Sequence, residues 1–331
     1  MIEKRSQPVW PALAIVAIAF IVCIIKLQVL ATWNPVYDET QYLSYGRTLA
    51  ETGQFAATLA GPKADSGPGR EPLYPALIAA VMRIDPVLAD NAARCIGNND
   101  DPTCPPIYRS LRWVNALLAA LVAGLTYLTA RELGFGAIAC WAAGLYAALN
   151  IEVMEFARYI ISDFLSMAFA AALPLAVAAA IVRRHSAWRW IVVGVLAGLL
   201  ILTKGIYELY AALGIAALAI AVIIRRDRQT LAALVAATLA VGIVIGSWVL
   251  RNDLVFGQPV LTDARGAIAL STREELDHMN PRQYLTAFVW WIRGPLWSER
   301  HLGADIGRTL LPESDWHRFD TYVPDGYYIM G

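Results

Sequence analysis

The stretch Leu199-Leu-Ile-Leu-Thr-Lys204-Gly-Ile-Tyr-Glu208-Leu-Tyr210 interrupts an apolar run that otherwise extends from 188 to 224. At ~1.5 Å per residue one helix over that run would exceed ~50 Å, whereas a hydrocarbon core is ~30 Å thick. The run is therefore read as two spans joined by a tight turn at Thr203-Lys204-Gly205. Lys204 and Glu208 then stand at a membrane boundary. Worked outward, the same reading predicts spans at about 9–30, 110–130, 136–153, 164–182, 188–203, 205–224 and 230–250, seven crossings in all. Composition agrees, since the 331 residues are 58% hydrophobic and 16% charged, with a mean hydropathy of +0.49. A net charge of zero argues against nucleic acid as a partner. The first run is too long for a signal-peptide core and lacks a clear small-residue cleavage site, so it is read as a retained span. The fold class expected is an all-α polytopic membrane protein.

The stretch 72–88 is apolar but contains Pro75, Arg83, Asp85 and Pro86. The distribution of basic residues decides its reading. With seven crossings, Lys4, Arg5, Arg131, Arg183, Arg184, Arg189, Arg225, Arg226 and Arg228 all fall on one side. An eighth crossing would send the 183–184 and 225–226 pairs to the outside, against the excess of basic residues expected in cytoplasmic loops. The expected topology has a cytoplasmic N-terminus in a plasma (inner) membrane and a long outer loop at 31–109. In that loop Asp38 opens a helix whose Tyr42, Tyr45 and Leu49 share one face, an amphipathic helix in the interface. A second interfacial helix is expected at 72–84. Cys95 and Cys104 bracket a turn-rich outer segment, and an oxidising compartment favours a disulfide between them. Cys23 and Cys140 are read as packing residues. The chain divides into a membrane module at 1–250 and an outward-facing segment at 251–331, whose Tyr284, Trp290, Trp291 and Trp297 suit an interfacial aromatic belt.

Three polar sites emerge on the outer side. The first is Asp38-Glu39, where Asp38 with Gln41 fits a capping box and where a carboxylate could equally act as general base towards a hydroxyl. The second is Arg158-Tyr-Ile-Ile-Ser-Asp163, with Asp163 either a cap for the next span or a functional acid. The third is Lys204, either a span-end lysine paired with Glu208 or a point charge for a phosphate. Arg70, Arg158 and Arg251 are further cations. The four histidines are scattered, and no metal set stands out. The loop Asn98-Asn-Asp-Asp101 has the oxygen ligands for a divalent cation, though a solvated turn is its ordinary reading. There is no Walker loop and no dinucleotide fingerprint.

Tyr37-Asp38-Glu39-Thr-Gln-Tyr42, followed by Arg70-Glu-Pro-Leu-Tyr-Pro75, resembles the first outer loop of the dolichyl-phosphate-mannose protein mannosyltransferase and aminoarabinose transferase superfamily, which are GT-C glycosyltransferases. The similarity continues through Arg158–Asp163, Leu202-Thr-Lys-Gly205, and Trp248-Val-Leu-Arg-Asn252 with Phe256-Gly-Gln-Pro-Val260, and covers about 1–265. It implies transfer of a sugar from a polyprenyl-phosphate donor to a lipid, glycan or protein acceptor at the outer face of the cell envelope. It also implies that Asp38 is the catalytic base. Beside it, Glu39 and Asp163 are candidate catalytic acids, and Lys204, Arg158 and Arg70 candidate contacts for the donor phosphate. Members of that superfamily usually have more spans, so the C-terminal segment is expected to be incomplete. Two other classes remain open: a transporter or flippase for polyprenyl-linked lipids, and a non-catalytic membrane scaffold. A transporter predicts charges at mid-membrane and inverted repeats. Here the ionisable groups gather at span ends and no repeat is visible.

Overall fold

The computed structural model describes residues 9–29, 38–56, 69–96, 108–150, 154, 156–182 and 187–262. They fall within the first of two compact units, Met1–Asp263; the second, Ala264–Gly331, lies outside the described residues, as do Asn98–Asp101 and Cys104. The protein is an all-α polytopic membrane protein. In chain order the helices are α1 (Trp10–Val29), α2 (Asp38–Thr52), α3 (Leu73–Ile84), α4 (Pro86–Cys95), α5 (Arg109–Glu132), α6 (Ala137–Ala148), α7 (Asp163–Val182), α8 (Ala187–Thr203), α9 (Tyr207–Arg225) and α10 (Arg228–Phe256), with a single 3₁₀ turn at Phe156–Arg158 before α7. Among the described residues no strand is present.

Five of these helices (α1, α5, α7, α9 and α10) are long and apolar enough to cross a membrane. The two remaining expected spans appear as shorter apolar helices, α6 with 12 residues and α8 with 17. The break expected at Lys204 is present: α8 stops at Thr203 and α9 starts at Tyr207. Two residues join α9 to α10. Arg226 takes a left-handed conformation (φ 53°), and Asp227 caps α10 by accepting from Thr230 N–H at 2.7 Å. The final helix overruns its expected end, reaching Phe256 before Gly257 (φ 68°) terminates it. Arg251 and Asn252 are thereby carried on its last two turns.

Small residues set how closely the spans approach, as packing in a lipid environment requires. Ala116, Ala120 and Ala123 of α5 pack with Ile15, Ala19 and Cys23 of α1 in one buried cluster. Gly194 of α8 lies so near α10 that a β-carbon there would stand 2.4 Å from the Ala237 carbonyl oxygen.

Helices α2, α3 and α4 form a second cluster, in which Tyr42, Leu43, Tyr74, Ile78, Met82 and Leu88 pack with Leu111 of α5 and Ile160. The apolar face of α2 expected at a lipid interface is covered by protein, with Tyr42 and Tyr45 at 3% and 4% exposure. The stretch 72–88 is divided by Asp85-Pro86. Asp85 ends α3 and accepts from Leu88 N–H at 3.2 Å to start α4, with Pro86 in its first turn.

One end of the bundle gathers the polar contacts. Arg112, in the first turn of α5, donates to the Arg158 carbonyl at 3.1 Å. Lys204, just past α8, reaches Asp163 at the start of α7. Trp248, near the end of α10, meets Phe55 beyond α2 with ring centroids 4.9 Å apart.

Candidate functional site at the α2, α7 and α8 termini

Asp38 and Glu39 are adjacent on α2 but serve different surroundings. The Asp38 side chain is 46% exposed, and both its oxygens accept from Arg70, Oδ2 from Nη1 at 3.2 Å and Oδ1 from Nη2. Gln41 accepts from Arg70 Nε at 2.8 Å. The two side chains of the expected capping box therefore converge on an arginine from the following loop. Arg70 itself is buried, and its guanidinium lies 4.8 Å from the centre of the Tyr42 ring. Glu39 points inward, where it is buried and accepts from the backbone N–H of Ile160 at 2.7 Å. A carboxylate bonded to a buried N–H is a structural anchor of high stakes, since neither partner has water to fall back on.

The second half of the site comes from the chain before α7. Asn115 of α5 donates to the carbonyls of Ala157 (3.3 Å) and Tyr159 (2.7 Å), which with Arg112 holds the 3₁₀ turn in place. Arg158 then projects from that turn beside Tyr159, with its Nη2 3.3 Å from the phenol oxygen and its guanidinium 5.1 Å from the ring centre. Ser162 shares a buried 3.0 Å hydrogen bond with the Tyr42 hydroxyl. Asp163 accepts from Lys204 Nζ at 2.8 Å, and the two side chains are 39% and 35% exposed. The partner of Lys204 is thus Asp163 across the fold, not Glu208 four residues on. Burial works against the Lys204 charge, but the Asp163 carboxylate outweighs it and the ammonium is held above the ordinary lysine range.

Sequence reasoning marked Glu71 only as an acidic residue where a base was expected, and did not single out Tyr42 as a polar group or Asn115. Glu71 is 1% exposed, and its Oε1 accepts from the Gly205 N–H at 2.9 Å. Burial pushes its carboxyl up, against the opposing pull of that N–H and of Arg70. Burial likewise pushes the Tyr42 hydroxyl up to about 12, so it is a neutral partner for Ser162. The available signal was the pair Arg70-Glu71 itself, two charges in a loop flanked by glycine and proline. Among the described residues no group of three His, Cys, Asp or Glu side chains is placed to hold a metal.

The arrangement leaves three half-exposed ionic heads, Asp38, Asp163 and Lys204, on a base of buried polar supports at one end of a multi-spanning helical bundle. An acid and a cation thus stand side by side at one end of a bundle whose long helices are apolar enough to cross a membrane. The model of the dolichyl-phosphate-mannose-protein mannosyltransferase family matches residues 13–252, and the chain belongs to that family. It is accordingly a membrane glycosyltransferase of the GT-C type, a class that uses polyprenyl-phosphate sugar donors. No curated protein matches the chain.

Proposed function

We propose that the protein transfers a sugar from a polyprenyl-phosphate carrier to an acceptor hydroxyl at the outer face of the plasma (inner) membrane, with inversion at the anomeric carbon and Asp38 as general base. The observation that carries this reading is the hydrogen bond between Tyr42 and Ser162, which joins the helix carrying half-exposed Asp38 to the segment carrying the Lys204–Asp163 pair. Each Asp38 oxygen has two acceptor positions, and Arg70 occupies one on each. A lone pair remains for the proton of an incoming hydroxyl. As that proton moves to Asp38, the acceptor oxygen attacks the anomeric carbon, the bond from that carbon to the phosphate oxygen breaks, and polyprenyl phosphate departs with the electron pair. Lys204 has two N–H donors beyond the one given to Asp163, and these face the charge that develops on the leaving phosphate. Arg158 is the second cation for that phosphate. Arg70, already committed to Asp38 and Gln41, holds the base in place, and Asp163 orients Lys204. Glu39 contributes by anchoring α2. The acceptor is a lipid, glycan or protein hydroxyl.

The test is Asp38→Asn with polyprenyl-phosphate mannose as donor. Asn preserves the shape and still accepts one of the two Arg70 hydrogen bonds through its oxygen, so the variant is expected to fold and to bind donor. Turnover should fall by ~10²–10⁴. Undiminished transfer by Asp38→Asn would sink the assignment of the base. Movement of the lipid across vesicles without any transfer by the unaltered protein would favour a flippase instead.

A further inference from the structure

Arg70 and Glu71 are consecutive, both buried, and they face opposite sides of the site. Arg70 binds Asp38, and Glu71 binds the backbone of the α8–α9 turn. The contacts form a chain in which sequence neighbours alternate with non-covalent bonds, Asp38 to Arg70, Glu71 to Gly205, Lys204 to Asp163 and Ser162 to Tyr42, and the turn of α2 from Tyr42 back to Asp38 closes it into a circuit. Asp38 and Lys204, the two groups assigned to the reaction, stand on opposite arms of this circuit.

The turn that carries Lys204 is short. Lys204 N–H closes onto the Leu200 carbonyl at 3.0 Å, and Glu208 N–H onto the Gly205 carbonyl at 2.9 Å. The Gly205 N–H between them is held by Glu71. The approach is close enough that a β-carbon on Gly205 would lie 3.3 Å from Glu71 Oε1. Lysine has a long, flexible stem, so the place of its ammonium depends on how firmly its backbone is fixed. Asp163 fixes the head of that side chain. Glu71 fixes its root.

We infer that Glu71 is a positioning residue: by binding the Gly205 N–H it sets the α8–α9 turn so that Lys204 is presented to the phosphate of the polyprenyl donor. This rests on the proposed role of Lys204. A glutamate next to Arg70 repels an anionic ligand if it faces it, so its burial against a backbone N–H is what makes its presence at a phosphate site tolerable. It acts through the backbone and does not touch the donor.

The experiment measures the Kd of the full chain in nanodiscs for polyprenyl phosphate, the shared leaving group, together with the thermal midpoint. Glu71→Ala removes the acceptor and is expected to weaken binding on the order of tenfold, the scale of one hydrogen bond to a charged group. Glu71→Gln keeps an oxygen for the Gly205 N–H and should recover most of that loss. Lys204→Ala should weaken binding by a similar factor, and the double variant with Glu71→Ala should be no worse than Lys204→Ala alone, because the first change acts through the second residue. Multiplying losses, or a lowered thermal midpoint with unchanged Kd, would overturn the inference. If Glu71→Ala does not fold, Glu71→Asp withdraws the carboxylate by one methylene and must weaken binding for the inference to stand. Should Lys204→Ala bind polyprenyl phosphate normally, the proposed role of Lys204 fails, and this inference with it. Should Lys204→Ala bind weakly while Glu71→Ala binds normally, the role of Lys204 stands and this inference alone fails.

Discussion

Asp38 and Glu39 show how two identical functional groups, one residue apart, are given different work by their surroundings. Successive positions on a helix point about 100° apart, so one carboxylate faces the open end of the bundle and the other faces Ile160. The buried one is predicted to be structural. Glu39→Ala strands the Ile160 N–H in a site with 0% exposure at that residue, and should cost about 1–3 kcal/mol of stability. Glu39→Gln keeps the acceptor oxygen and should retain most of the stability and of the transfer activity. Chemical denaturation of both variants in detergent checks this; equal losses for Ala and Gln would mean that the charge, not the hydrogen bond, matters there. Asp38→Asn should behave in the opposite sense, losing turnover while keeping stability.

At the scale of elements, the site depends on where helices begin and end. α8 must stop at Thr203 for Lys204 to reach α7, and its depth is set by its contact with α10. Gly194 is a point of close approach in that contact, facing the carbonyl of Ala237. Gly194→Val would press a branched side chain against backbone that cannot rotate away. The expected cost is about 1–3 kcal/mol, the range for an overpacked core, with part of it expressed as loss of donor binding because α8 carries the Lys204 turn. A thermal midpoint equal to the parent's would show that the two helices separate without penalty. The far end of α10 is fastened in another way. Asn252, fully buried, donates to the Val260 carbonyl at 2.8 Å, and Trp248 donates to the Leu261 carbonyl at 2.9 Å, folding 258–262 back along the helix.

For the whole molecule, the proposed chemistry requires the site end of the bundle to face outward. The basic clusters at the opposite helix ends, Arg225, Arg226 and Arg228 among them, are the reason to expect this orientation. A cysteine introduced as Ala64→Cys should be labelled by a membrane-impermeant reagent in intact cells. Protection of that position in a folded chain would reverse the topology and remove the site from the outer face. The same compartment should oxidise Cys95, which is buried at the end of α4, with Cys104. Mass spectrometry under non-reducing conditions should find the bridge, worth ~2–3 kcal/mol through its short loop. Two alkylated thiols would refute it.

The sequence by itself determined the helical class, the places where apolar runs break, and the charged residues that stand at the ends of those runs, because these follow from the length of a span and the cost of burying charge. The break at Lys204 and the helices starting at Asp38 and Asp163 were legible in this way. Partnership was not legible. Asp38 and Gln41 read as a local cap, and Lys204 and Glu208 as a local pair, since a sequence displays only near neighbours. Only the tertiary structure decided that Arg70 takes both Asp38 and Gln41, that Asp163 takes Lys204, and that Glu71 reaches Gly205 from far along the chain. A hydrogen bond forms where the fold brings a donor and an acceptor within about 3 Å. That meeting depends on how α2, α7 and α8 pack together, not on the spacing of residues within any one of them.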